Sequence, residues 1–121
     1  MVIPNINNMI SEGDIIKVIL YFEDDTYVTL DKLAKYEFDL YDRDLSSIEF
    51  TSFFVDTEIL SRFCEKTDNI KQINLTVSDI SDKENQTVIS LRCDMYIKNF
   101  MINGCVNSAT EMRLKLEGVV K

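Results

Sequence analysis

The stretch IEFTSFF (48–54), DTEILSRFCEK (56–66), IKQINLTVS (70–78), DISDKEN (79–85), TVISLRCDMYI (87–97), KNFMINGCV (98–106), EMRLKLEGVV (111–120) decides the fold class. Apolar residues recur every second position in all but two of its segments, the signature of half-buried strands. Ile48, Phe50, Ser52 and Phe54 fall on one face of the first run. Ile73, Leu75 and Val77 do so in the next, then Ile89, Leu91, Cys93, Met95 and Ile97 in the longest. Met112, Leu114 and Leu116 close the series, alternating with Arg113, Lys115 and Glu117.

The exception to this period is 56–66. Ile59, Leu60 and Phe63 stand at i, i+1 and i+4, one stripe of a helix that Cys64 widens. Asp56 or Thr57 caps its start, and Arg62 and Lys66 lie where the helix dipole favours cations. The spacing predicts a single α-helix over 56–66 with Ile59, Leu60 and Phe63 as its core face. The other exception, 79–85, reads as a polar loop.

Working towards the N-terminus, DIIKVILYF (14–22) is a mostly buried strand, EDD (23–25) a tight turn, and TYVTL (26–30) its hairpin partner. Residues 31–35 fit either a helical turn or the start of a strand. Tyr36, Phe38 and Leu40 alternate with Glu37 and Asp39, which favours a third strand with one wet, acidic face. DRDLSS (42–47) is a loop of turn-forming residues. Residues 1–13, with Pro4 and three asparagines, read as an irregular arm, and 14–121 as one domain. The pattern predicts a mainly β protein: an antiparallel β-barrel or sandwich with one flanking helix.

The composition narrows the chemistry. Histidine is absent from the 121 residues, which removes the usual general base and the commonest metal ligand. Cys64, Cys93 and Cys105 are too widely spaced for a zinc site. Cys64 and Cys93 lie on apolar stripes and read as small core residues. The three glycines cannot build a phosphate-cradling loop. Asp42 and Asp44 begin a calcium-loop pattern, but Ser47 and Phe53 stand where glycine and an acid are needed. The chain is expected to be no enzyme, to hold no cofactor, metal or small-molecule ligand, and to have no membrane span, since no apolar stretch approaches about 18 residues.

The formal charge is −8, and it is uneven: residues 1–60 carry 13 acids and 4 bases, whereas 61–121 carry 8 acids and 9 bases. A basic nucleic-acid face is not expected from this balance. The N-terminus lacks the features of a signal peptide, so a reducing compartment and free thiols are expected.

The order strand, helix, strand, polar loop, antiparallel strands over 48–120 resembles the core of the tail-tube superfamily. This superfamily includes phage tail-tube proteins and the hemolysin-coregulated protein of type VI secretion. The likeness covers about three-fifths of the chain and is one of element order, with no diagnostic motif. It implies a structural subunit of a phage tail or related contractile injection apparatus: tube, tube-adaptor, terminator or baseplate component. A homo-oligomeric ring, a hexamer in that family's manner, would contact neighbouring tail or baseplate proteins and pass DNA only as cargo. Localisation would be the virion or the bacterial cytoplasm. Glu37, Asp39 and Asp94, on wet strand faces, are the candidate channel-facing acids. An acidic inhibitor that mimics DNA on a basic partner is the alternative reading of the charge.

Overall fold

A computed structural model describes residues 13–31, 33–41, 44–52, 61, 69–79, 81–82, 84–104 and 111–121. The described chain forms seven strands: β1 (Gly13–Phe22), β2 (Tyr27–Leu30), β3 (Leu33–Asp39), β4 (Ser46–Ser52), β5 (Ile70–Asp79), β6 (Gln86–Asn103) and β7 (Glu111–Val120). They form one sheet in the order β2-β1-β5-β6-β7-β4-β3, and every pairing is antiparallel.

Period-two alternation becomes burial in a direct way. On β1, Ile15, Val18, Leu20 and Phe22 are buried; on β5, Ile70, Ile73, Leu75 and Val77; on β7, Met112, Leu114, Leu116 and Val120. The register aligns them in rows, such as Phe50 opposite Leu114 and Leu114 opposite Phe100. A flat sheet would leave one such face wet. Here most of those side chains are completely buried, so the sheet is curled around its own apolar face, as the right-handed twist of strands permits.

The curl stops short of a barrel, which corrects the expectation of a barrel or a two-sheet sandwich. No backbone ladder joins β3 to β1 among the described residues, so the sheet keeps two edges. The reason lies in β2 and β3, which are consecutive and separated by only residues 31 and 32. β2 pairs with the second half of β1, and β3 then departs to pair with β4. The first half of β1, Gly13–Lys17, lies near β3 without forming a ladder. The seam is spanned by a side chain. The Tyr36 hydroxyl donates to Asp14 Oδ1 at 2.7 Å, reaching from the last strand of the sheet to the second.

Three other expectations resolve locally. The β1–β2 connection is the predicted acidic turn: Asp25 N–H donates to the Phe22 carbonyl, and Asp25 takes the left-handed conformation at φ 69°. β3 is a strand with Tyr36 and Phe38 turned inward and Glu37 and Asp39 outward, as expected. The two strands expected over 87–97 and 100–106 are one 18-residue strand, β6. Parity between Ile97 and Phe100 breaks in the sequence, and the strand absorbs the break as a bulge at Lys98, so Ile97 and Phe100 both face Leu116 and Leu114. The helix expected over 56–66, with Ile59, Leu60 and Phe63, lies outside the described residues apart from Ser61, which is helical and exposed.

One glycine is required by packing. Gly118 on β7 sits between Ser46 of β4 and Met95 of β6, and a Cβ there would lie 2.2 Å from the Asp94 carbonyl oxygen.

Candidate functional site

With the inward side chains committed to the core, the chemistry available to a partner lies on the outer face of the sheet. Reading the register across it gives rows of side chains. Glu37 of β3 faces Glu49 of β4, which faces Lys115 of β7. Asp39 faces Ser47, which faces Glu117, which faces Tyr96 of β6. Val119 faces Asp94.

The three acids singled out in the sequence, Glu37, Asp39 and Asp94, are all exposed on this face, but they are not brought together. Glu37 and Asp39 sit on the edge strand β3, and Asp94 on β6, with β4 and β7 between them. Each has a different setting. Glu37 stands directly opposite another carboxylate, Glu49, an unfavourable cross-strand pair, and Lys115 occupies the next place in the row. Asp39 accepts the Tyr41 hydroxyl at 3.4 Å, the outer limit of a hydrogen bond. Asp94 accepts the Asn69 side-chain amide at 2.8 Å, which ties the start of β5 to β6.

A shallow groove of about 340 Å³ crosses the β3–β4–β7 part of the same face, lined by Ala34, Lys35, Glu49, Thr51, Glu111 and Arg113. Its charges are mixed and largely engaged with one another. The Glu111 carboxylate accepts from the Arg113 guanidinium and, with Glu49, raises the arginine's pKa. Among the described residues no cluster of three or more His, Cys, Asp or Glu could hold a metal ion.

The outer face also carries apolar and aromatic side chains. Tyr41, Leu45, Tyr96 and Val119 are exposed. Leu45 directly precedes Ser46, whose partner is Gly118, so the register sets Leu45 beside Val119. Val119 in turn neighbours Asp94 and Tyr96. The Tyr96 hydroxyl donates to Glu117 at 2.9 Å, and that bond is the main cause of its raised pKa. Nothing local marks these four residues in the sequence; only the strand register gathers them.

Two groups of apparent reactivity serve structure instead. The Cys93 thiol faces the core and donates to the Ile70 carbonyl at 3.4 Å. Burial, then the Asp94 charge, pushes its pKa up to about 12, so the core role expected for it holds. Cys64 and Cys105 lie outside the described residues. The Tyr36 phenol at the seam has a raised pKa, first because it is desolvated and then because it donates to Asp14.

No family model, no curated protein and no solved structure matches this chain.

Proposed function

We propose that this chain is a structural, non-enzymatic subunit of a self-assembling tube or ring, of the kind found in phage tails and related injection machines. The carrying observation is the division of the sheet: an inward face given mainly to apolar packing, and an outward face with an apolar patch beside fields of charge. A core so filled serves rigidity, and an exposed apolar group rimmed by polar residues is the composition of a contact surface.

The tail-tube reading adds that the chain closes into a homo-oligomeric ring and meets neighbouring tail or baseplate proteins. The mainly antiparallel β architecture is compatible with it, and a helix over 56–66 packed on the sheet through Ile59, Leu60 and Phe63 belongs to the same reading. In such a ring the Glu37–Glu49 pair is the best-placed repellent for passing DNA, because two adjacent carboxylates raise the local negative potential. Asp39 and Asp94 flank the apolar patch instead.

Negative-stain imaging of the purified chain at high concentration tests the proposal. Uniform rings or stacked tubes support it. Isolated monomers that inhibit a nucleic-acid enzyme by occupying its basic groove would replace it with the DNA-mimic reading, which the chain's net charge of −8 favours.

A further inference from the structure

Four outward side chains form a row across strands β2, β1, β5 and β6. Tyr27 faces Tyr21, Tyr21 faces Gln72, and Gln72 faces Arg92. The next outward row along the strands is Thr29, Ile19, Asn74 and Ser90. Their direction follows from alternation, because Val28, Leu20, Ile73 and Leu91, which lie between the two rows, are all buried. Three interstrand spacings make each row roughly 14 Å wide.

The rows have an aromatic end and a hydrogen-bonding end. The Tyr21 and Tyr27 ring centroids lie 5.8 Å apart at a tilt of 44°, and Tyr27 is 58% exposed. Gln72 Nε2 donates to Asn74 Oδ1 at 2.9 Å. That bond orients both carboxamides and leaves the Gln72 carbonyl oxygen and the Asn74 amino group for further bonds. Arg92, which is exposed, adds a planar fork of donors. Neither row contains a carboxylate, and Arg92 is their one charged member. The bordering charges are of both signs. Lys121 and Asp94 adjoin Arg92, Glu23 and the Lys71–Asp25 ion pair lie past the tyrosines, and Lys17 and Asp31 follow Ile19 and Thr29.

We infer that this face binds neutral oligosaccharides. A pyranose ring carries C–H groups on its faces and hydroxyls around its edge. The tyrosine rings take the C–H face, and the carboxamides and guanidinium, planar groups with several donors and acceptors, take the hydroxyls. An uncharged ligand suits a surface with one charged member and a border of both signs. Single-stranded nucleic acid also stacks on tyrosines, but it requires clustered cations for its phosphates, and this chain carries −8. An added peptide strand requires free backbone groups, whereas Tyr21 and Gln72 each lie between two paired strands. Sheet faces of small β-folds bind oligosaccharides through such side chains. All the residues come from one chain, so the inference is independent of the assembly reading.

The test applies the full chain, displayed multivalently on streptavidin, to an array of neutral and sialylated oligosaccharides, with single-stranded oligothymidine as a comparison probe. The best-bound oligosaccharide is then titrated by calorimetry against wild type, Tyr27→Ala, Tyr27→Phe and Arg92→Ala. Both positions are exposed, and thermal unfolding establishes that each variant folds. Wild type binds a subset of the neutral oligosaccharides. Tyr27→Ala and Arg92→Ala each weaken that binding about tenfold, while Tyr27→Phe, which keeps the ring, stays within about twofold. Absence of binding to every neutral oligosaccharide overturns the inference. Binding that Tyr27→Ala and Arg92→Ala both leave unchanged puts the sugar elsewhere and overturns it as well. Preference for sialylated glycans overturns the neutral class, and preference for oligothymidine overturns the inference in favour of a stacking surface for nucleic acid. Self-association is read separately, by mass in solution, so failure here leaves the assembly reading standing.

Discussion

Replacing Gly118 by alanine should damage this protein more than any other single methyl group added to it. The alanine Cβ would lie 2.2 Å from the Asp94 carbonyl oxygen and 2.6 Å from the Met95 Cα. Ordinary contacts of that kind are about 3.4 Å, so β6 and β7 would have to separate by roughly 1 Å at the row that Ser46, Gly118 and Met95 share. The obstructing atoms are backbone, so no side-chain rotation relieves the overlap. Forced overpacking costs about 1–3 kcal/mol, and the φ of 156° adds strain for a residue with a Cβ. A destabilisation of about 3 kcal/mol follows, equivalent to a fall in Tm of roughly 10 °C for a domain of this size. Thermal unfolding by circular dichroism measures it, with the exposed Lys115→Ala as control, expected within about 0.5 kcal/mol of wild type. A Gly118→Ala chain melting within about 2 °C of wild type would refute the close β6–β7 approach.

Further outcomes follow from the seam, the core thiol and the hairpin. Tyr36→Phe should cost about 1 kcal/mol in chemical denaturation and, in a cycle with Asp14→Asn, show coupling between the two positions; additive effects would remove the Tyr36–Asp14 bridge. Because the folded Tyr36 pKa is raised, its contribution is fully present below 10.0 and is lost as pH rises through the folded value, so wild type should lose stability there relative to Tyr36→Phe. Cys93 should resist alkylation at pH 8 in the native chain and react once the chain is unfolded; its contribution, with the pKa raised from 9.0 to about 12, persists below pH 9 and is lost as pH rises through the folded value. Asp25→Val, which places a β-branched residue at φ 69°, should cost about 2 kcal/mol in thermal unfolding, whereas Asp25→Gly should match or exceed wild type despite losing the exposed Lys71 ion pair.

How much of this was legible in the sequence depended on the range of the interaction involved. β7 begins and ends where alternation places it, at Glu111 and Val120, because each of its side chains reports its own face. The turn at 23–25 was legible for the same reason, since its chemistry is local. The continuity of β6 was not. A parity break between Ile97 and Phe100 reads as two strands, and the partner β7 turns it into a bulge. Closure was also beyond reach, because alternation reports an inward face without saying whether the last strand regains the first. Tyr36 was legible as an inward residue, but its bond to Asp14 depends on the curl of the whole sheet. The acids Glu37, Asp39 and Asp94 were correctly placed on wet faces; their separation across β4 and β7 follows from a strand order that no local signal carries.

The central claim is that this chain is built to assemble with itself, and its mass in solution tests that claim most directly. Sedimentation equilibrium from micromolar to millimolar concentration should give a closed oligomer of fixed stoichiometry that grows at the expense of monomer. The mass of a single chain across the whole range would contradict the account.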